Sequence, residues 1–195
     1  MNKKIFKFFL VFFLTFQTES FATNPSDFVQ SAVNRASEIL KQNISKEEKM
    51  EKIELIAEEV VDIKGIAYYS LGSHRKTLSS EKKEEYFIVF KKYFLKSFSS
   101  RLAQYSDPKI QVSSEKKLNE KYTIVSSILL ATEKTPQVKL DWRIVTKDIH
   151  KPLIIDVVIE GVSLARVQRE EFNSIIQNNN IDGLINNLKE FANRK

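Results

Sequence analysis

Two different spacings of apolar residues divide the chain. From about residue 25 to residue 105, apolar side chains recur every three or four positions, which is the spacing of one face of a helix. From about residue 110 to residue 160 they tend to alternate with polar side chains, which is the spacing of a strand with one buried face. Helical spacing returns after Gly161. The pattern therefore predicts helices, then strands, then helices again.

Four helices are predicted before the strands, and capping residues mark their ends. They run from Pro25 to about Gln42, from the capping box of Ser45 and Glu48 to Val60, from Asp62 to Leu71, and from Ser80 to about Tyr105. Gly72 can supply the left-handed residue that ends the third helix. The fourth and longest helix carries an aromatic stripe that includes Phe87, Phe90 and Phe94, and its other face is rich in lysine and glutamate.

Alternation is clearest in the third of four predicted strands, where Val138, Leu140, Trp142 and Ile144 alternate with Lys139, Asp141 and Arg143. The other strands begin at Ile110, run from Tyr122 to Ala131 and run from Leu153 to Glu160, with turns at Leu118–Lys121, Thr135–Pro136 and His150–Pro152. One face of this sheet is predicted to be apolar and the other to be exposed to solvent. Short turns between successive strands indicate hairpins, and hence an antiparallel sheet.

The segment IIDVVIEGVSLARVQREEF, from Ile154 to Phe172, joins the last strand to a C-terminal helix. Gly161 allows a sharp turn of the backbone, and Ser163 can cap the helix that follows. That helix is predicted over residues 162–178, and a last short helix starts at Ile181. The fold class is therefore α+β, with N-terminal and C-terminal helices packed on a four-stranded antiparallel sheet.

The first 22 residues have the layout of a secretory signal peptide. Three lysines precede an apolar stretch from Phe8 to Phe16, and a small residue, Ala22, ends the segment. The apolar stretch is too short to span a bilayer, which takes about 20 residues. We expect cleavage after Ala22, export to the periplasm, and a single mature domain over residues 23–195.

Charge and composition exclude several classes of function. Without the first 22 residues, which hold three lysines and one glutamate, the formal net charge falls from +6 to +4, which does not indicate a nucleic-acid-binding protein. The chain has no cysteine, so neither disulfides nor a lipid-modified cysteine is predicted. Its two histidines, His74 and His150, are far apart in sequence, and glycine-rich phosphate loops are absent. We expect no catalytic site, no metal site and no cofactor.

Two carboxylates in the apolar fourth strand leave alternatives open. Asp156 and Glu160 lie four residues apart, so their side chains would point to the same face about 13 Å apart. That separation is too large for paired-carboxylate hydrolysis. They are either solvated charges on the outer face or members of a structural or partner salt bridge.

The order of short motifs along the chain resembles that of the MlaC family of periplasmic phospholipid-binding proteins. These motifs are Val61-Asp62, Leu71-Gly72, the long helix with Phe90 and Phe98, Val138 to Asp141, Asp156, Glu160 to Leu164, Phe172, and Asp182-Gly183-Leu184. The resemblance runs from about Phe28 to Leu188. It implies a soluble, non-enzymatic carrier of phospholipid between an outer-membrane complex and an inner-membrane ABC transporter that has a ring of lipid-binding domains.

The resemblance also implies a curved sheet with acyl chains held between it and the helices. The side chains expected to line this apolar cavity are Phe87, Phe90, Phe94, Val138, Leu140, Trp142, Ile144, Ile155, Val157, Leu164 and Val167. Arg75 and Arg169 are candidates for contact with the headgroup, because a guanidinium group suits a phosphate. Two alternatives remain: an enzyme on a similar scaffold, and an exported module whose apolar face binds a protein.

Overall fold

The computed structural model describes residues 24–133, 136–148 and 150–194. The helices are α1 (Pro25–Lys41), α2 (Lys46–Val60), α3 (Ile63–Ser70), α4 (Ser80–Leu102) and α5 (Leu164–Asn193). The strands are β1 (Ile110–Asn119), β2 (Tyr122–Leu129), β3 (Val138–Val145), β4 (Leu153–Ile159) and β5 (Val162–Ser163). The predicted signal peptide and Thr135 of the second predicted turn lie outside the described residues.

The strands form one antiparallel sheet in the order β1-β2-β3-β4-β5. This confirms the α+β fold class and the meandering hairpins, with five strands where four were predicted. The additional strand, β5, has only two residues, Val162 and Ser163. A segment this short carries no period, so alternation along the sequence could not indicate it.

Helices α2 and α3 begin at the caps predicted at Ser45 and Asp62, and α1 and α4 begin at Pro25 and Ser80 as predicted. The cap of α4, Ser79, was not predicted. The side chains of Asn24, Ser45, Asp62 and Ser79 accept backbone N–H bonds at the starts of α1 to α4. A short 3-10 turn, His74–Lys76, separates α3 from α4. The break predicted between the two C-terminal helices is a kink within α5 at Asn180, whose φ of 56° and ψ of −174° are not helical.

Two boundaries differ from the prediction. Helix α4 ends at Leu102, one turn before Tyr105. Strand β1 continues to Asn119, past the start of the turn predicted at Leu118. Residues 113–119 of this strand are all exposed, so neither face is buried and no alternation of apolar and polar residues marks them as a strand.

Strand β4 has a bulge of one extra residue opposite the Arg143–Ile144 step of its partner, β3. Arg143 pairs with Asp156, whereas the next residue, Ile144, pairs with Ile154, so Ile155 has no partner in the register. A bulge of this kind bends the strand and reverses which side chains face the helices. Ile154 therefore lies on the helix side at one end of β4, and Val157 lies there after the bulge.

The apolar core consists of two clusters. The main core contains residues of all five helices together with Ile154 of β4. The second cluster joins Val29 and Val33 of α1 to Val125 of β2 and Ile144 of β3. Trp142 packs against both clusters, as does Phe28 at the start of α1. Among the described residues, no helix is both long and apolar enough to cross a membrane.

Residues of the family-like motifs hold these elements together. The Asp62 side chain accepts a hydrogen bond from the Gly65 amide at 2.8 Å, and the Asp62 amide donates to the Ile154 carbonyl oxygen at 2.9 Å. The first bond caps α3, and the second attaches the start of α3 to β4. Gly72 has a φ of +56°, which glycine adopts without strain. Leu184, from the last motif, is completely buried in the main core.

Candidate functional site

A buried carboxylate fixes the junction between the sheet and α5. Asp156 accepts a hydrogen bond from the Ser163 hydroxyl at 2.6 Å and another from the Ala165 amide at 2.9 Å. Ser163 caps α5 by accepting from the Arg166 amide. Arg143 lies 3.4 Å from the Asp156 carboxylate, whose side chain is only 5% exposed. The negative charge at the helix N-terminus and its hydrogen bonds make Asp156 a structural residue.

The turn between β4 and β5 explains why a glycine interrupts the apolar segment. Glu160 and Gly161 both have positive φ, 47° and 83°, and Ile159 pairs with Val162 across them. Two consecutive residues with positive φ are typical of the two-residue type I′ hairpin turn. Glu160 is exposed, and its carboxylate accepts a hydrogen bond from the Lys139 amide. Of the two carboxylates in this segment, one is therefore buried and one is solvated.

Trp142 is at the centre of the helix side of the sheet. It pairs with Val125 of β2 and with Val157 of β4, so the three side chains share one face. The indole N–H donates to the Ser127 hydroxyl at 2.8 Å, which fixes the orientation of the ring. Trp142 and Val157 are only partly buried, although both pack against the main core. Apolar surface thus remains accessible within this face.

A row of phenylalanine rings on α4, which we call the wall, packs in the same main core as Trp142 and Val157. Phe90 is completely buried, and its ring stacks on Phe94 with centroids 5.9 Å apart. The Phe94 ring stacks in turn on Phe98 at 5.8 Å with an interplanar angle of 6°. Phe94 and Phe98 are partly buried. The row therefore leads from the closed interior of the main core towards accessible apolar surface.

Two tyrosines on α4 end in polar contacts within this wall. The Tyr86 hydroxyl lies 2.8 Å from the Ser70 hydroxyl, and the Tyr93 hydroxyl donates to the Gln168 side chain at 3.1 Å. Burial raises the pKa of both tyrosines. They therefore remain neutral, and the wall carries no charge from them.

The helices pack closely on the sheet at its two sides. Helix α1 packs on β1 and β2, whereas α3 and α5 pack on β4. Within the described residues, the helix backbones come less close to β3, the strand that carries Trp142. The two layers are thus attached at both sides of the sheet and less closely over its middle strand.

The other predicted cavity residues differ in exposure. Leu140 and Ile144 are buried on the same face as Trp142. The partly buried members of the set are Phe87, Val138, Ile155 and Val167. Leu164, the first residue of α5, is 47% exposed. The bulge leaves Ile155 without a partner in the register. For all eleven residues, the lining of a lipid cavity stays a prediction.

Both arginines predicted to contact a headgroup line the same pocket, at the corner between α3, the 3-10 turn and α5. The pocket has a volume of about 260 Å³ and is lined by Tyr68, Tyr69, Gly72, Ser73, Arg75, Lys76 and Arg169. Tyr68, Tyr69 and Lys76 were not predicted. The signal for them was local: a pair of tyrosines three residues before Gly72 and the basic run His74–Lys76 immediately after it.

A second pocket, of about 520 Å³, lies between α1 and α2 and includes Arg35, Ile39 and Leu55. Neither pocket is lined by the predicted cavity residues. Phe28 and Phe98 were not among those residues either. Phe98 stacks on Phe94, and Phe28, like Trp142, packs against both clusters. Within residues 24–133, 136–148 and 150–194, no group of three His, Cys, Asp or Glu side chains is placed to hold a metal ion.

The comparisons with known proteins agree with the geometry. A family model described as MlaC protein matches residues 30–190. The chain belongs to the MlaC family. This confirms the resemblance found in the sequence motifs, and the match covers every helix and strand from the body of α1 to most of α5.

Two known proteins are similar to this chain. The chain is 26% identical, over 196 residues, to a Haemophilus influenzae protein named intermembrane phospholipid transport system binding protein MlaC, with 96% of this chain and 91% of the relative aligned. The fold matches a solved structure of a phospholipid-binding protein from Ralstonia solanacearum in complex with a phospholipid. The TM-score is 0.74 at 16% identity, with 87% of this chain and 97% of that chain covered.

Proposed function

We propose that this protein is a periplasmic phospholipid carrier that holds acyl chains between its sheet and α4. The observation that carries the proposal is the partly buried pair Trp142 and Val157 on the helix side of the sheet, together with Phe94 and Phe98 on α4. Membership of the MlaC family and the phospholipid complex of a protein with the same fold support it. We call the space between these four side chains the slot.

The energetics of the slot favour hydrocarbon. Burial of apolar surface contributes about 0.8 kcal/mol of binding free energy per methylene. Two long acyl chains therefore bind favourably even if part of this free energy is used to move the helices away from the sheet. Phe90 in the main core and Ile144 in the second cluster are fully buried in the lipid-free protein. Lipid entry then requires the partly buried side chains of the slot to part, while the attachments of α1, α3 and α5 to the sheet remain.

The sites and partners of this carrier follow from the same proposal. Of the residues expected to line the cavity, Phe87, Val138, Leu140, Ile155, Leu164 and Val167 surround the slot or extend it. The first 22 residues are a signal peptide removed on export, and residues 23–195 form the mature domain. An outer-membrane complex and an inner-membrane ABC transporter exchange lipid with it, and it performs no chemistry itself.

The single tryptophan of the sequence allows a direct test of the slot. Lipid-free protein is mixed with a phospholipid whose acyl chains carry bromine atoms, which quench indole fluorescence at short range. We expect strong quenching of Trp142 by the brominated lipid and little change with the same lipid lacking bromine. Native mass spectrometry of protein purified from cells should show bound phospholipid in stoichiometric amount.

A pair of matched variants locates the binding site. Val157→Phe fills the slot, and Val162→Phe makes the same change at an exposed position on the next strand. We expect the first variant to lose most of its bound lipid and most of the quenching, and the second to keep both, with each variant folded by circular dichroism. Bound lipid without quenching of Trp142 would place the acyl chains elsewhere. Absence of lipid in both assays would contradict the carrier function.

A further inference from the structure

We propose that the pocket between α3, the 3-10 turn and α5 binds the phosphate group of a phospholipid headgroup. The phosphate chemistry rests on the pocket alone, whereas the lipid as its source rests on the proposed function. The slot and the pocket are separate features, so each can be tested without the other. The pocket volume of about 260 Å³ suits a headgroup and not a whole lipid.

Three positive side chains from separate parts of the chain meet in this pocket. Arg75 and Lys76 come from the 3-10 turn, and Arg169 comes from α5. Among the described residues, none of the three has a carboxylate within 4 Å, whereas Arg166, one turn before Arg169, pairs with Glu170. The pocket lining includes no acidic residue. A phosphate would neutralise this concentration of charge and accept several charge-assisted hydrogen bonds.

The backbone and one aromatic ring hold Arg169 in place. Its guanidinium carbon lies 5.2 Å from the centre of the Tyr69 ring, a stacked position that leaves the edge of the guanidinium free to donate. Gly72 permits this approach, because a Cβ atom there would lie 3.0 Å from Arg169 Nε. The positive φ of Gly72 also disfavours any other residue. Arg169 is therefore preorganised to bind a planar pair of oxygen atoms.

An aromatic contact connects the pocket to α4, the helix that carries the phenylalanine row. Tyr68 lines the pocket, and its ring centre lies 6.4 Å from that of Phe87 on α4. The Lys64 ammonium group lies over both rings, 5.9 Å from the centre of Tyr68 and 5.2 Å from that of Phe87. Lys64 is thus a fourth cation beside the pocket, next to Tyr68 and Phe87. A lipid with its phosphate in the pocket would find apolar surface in that direction.

The first arm of the test uses a headgroup without acyl chains. Glycerophosphoglycerol and inorganic phosphate are titrated into labelled protein, and the amide of Gly72 and the Nε–H of Arg169 are followed by NMR. We expect both resonances to shift. We expect the double variant Arg75→Gln with Arg169→Gln to bind glycerophosphoglycerol at least about tenfold more weakly. The control, Lys116→Gln with Lys121→Gln on the exposed β1–β2 hairpin, removes the same charge and should match the wild type.

The second arm distinguishes a lipid headgroup from free phosphate. Quenching of Trp142 is compared for a brominated phosphatidylglycerol and for a diacylglycerol with the same brominated chains and no phosphate. The wild type should bind the phospholipid more tightly than the diacylglycerol. In the Arg75→Gln with Arg169→Gln variant, the ratio of the two affinities should fall about tenfold, while the affinity for diacylglycerol is unchanged.

Each outcome decides the proposal. If glycerophosphoglycerol binds the double variant as well as the wild type, the pocket is not a phosphate site. If the pocket binds inorganic phosphate but the preference for phosphatidylglycerol is the same in both proteins, its phosphate does not come from the carried lipid and the proposal fails. Loss of Trp142 quenching by both brominated lipids in the wild type would instead contradict the slot, and the NMR arm would still test the pocket.

Discussion

Different forces hold two neighbouring regions of the sheet: the junction of β4, β5 and α5, where the Asp156 side chain points to one face, and the slot, where Trp142 and Val157 point to the other. At the junction, Asp156 is almost completely enclosed and receives two hydrogen bonds and the nearby charge of Arg143. In the slot, Trp142 and Val157 are partly buried and make mainly apolar contacts. Directional bonds fix the geometry of the first region, whereas the second can change its packing.

This difference suits a protein that must open without unfolding. Hydrogen bonds to a buried carboxylate are lost together when the geometry changes, so they keep α5 attached to the sheet. Apolar contacts are not directional, and a hydrocarbon chain can replace a side chain at little cost. Mutations should therefore affect the junction, which holds the frame of the fold, and the slot, which opens, to different degrees. Three substitutions test this difference.

Replacement of Asp156 by alanine should have the largest effect. It leaves the Ser163 hydroxyl without its acceptor and removes the partner of the Ala165 amide and of Arg143. We expect the free energy of unfolding to fall by about 3 kcal/mol, measured by urea denaturation. The control, Glu170→Ala on the exposed face of α5, should cost less than about 0.5 kcal/mol. A loss below about 1 kcal/mol for Asp156→Ala would show that the junction is not the fixed part of the frame.

Replacement of Gly161 by alanine should have an intermediate effect. No heavy atom lies within 4 Å of the added Cβ, so the cost comes only from the positive φ of +83°. We expect the free energy of unfolding to fall by about 1 to 2 kcal/mol. Val162→Ala, at the exposed next position, serves as the control and should change it by less than about 0.5 kcal/mol. Equal effects at the two positions would mean that the turn does not depend on glycine.

Replacement of Val157 by alanine should have the smallest effect in the lipid-free protein. The side chain is only partly buried, so we expect a loss below about 1 kcal/mol. Ile144→Ala, on the same face but completely buried, should cost about 3 kcal/mol. Both values come from urea denaturation after removal of lipid. If both substitutions lowered the free energy of unfolding by similar amounts, the slot would be packed as tightly as the core, and its side chains would not part more easily than core side chains.

Much of the fold could be predicted because its signals are local. Each cap before α1 to α4 is formed by a side chain a few residues from the amide that it binds. The face shared by Leu140, Trp142 and Ile144 follows from alternation alone, and the stripe of Phe90 and Phe94 follows from helical spacing. These features depend on residues near in sequence, which is why the α+β class and most boundaries were correct.

The features that were missed depend on residues far apart or on single insertions. The burial of Asp156 results from the return of the chain through β5, which no period indicates. The bulge at Ile155 changes the face of β4 without changing its composition. The meeting of Arg75 and Arg169 requires the packing of α3 against α5. The chemistry of arginine predicts contact with a phosphate, but no pattern near either residue in the sequence indicates that both line one pocket.

The kink at Asn180 determines the role of the last residues of the chain. A straight helix of 30 residues would be about 45 Å long, and a compact domain of about 170 residues is about 40 Å across. The change of direction lets the end of α5 run along α4, where the Phe191 ring meets Tyr93 at 5.1 Å and Lys96 donates to the Ala192 carbonyl oxygen. The C-terminal segment thus covers the side of α4 that carries Tyr93 and Lys96. Removal of the residues after Asn180 would expose this side of α4 to water.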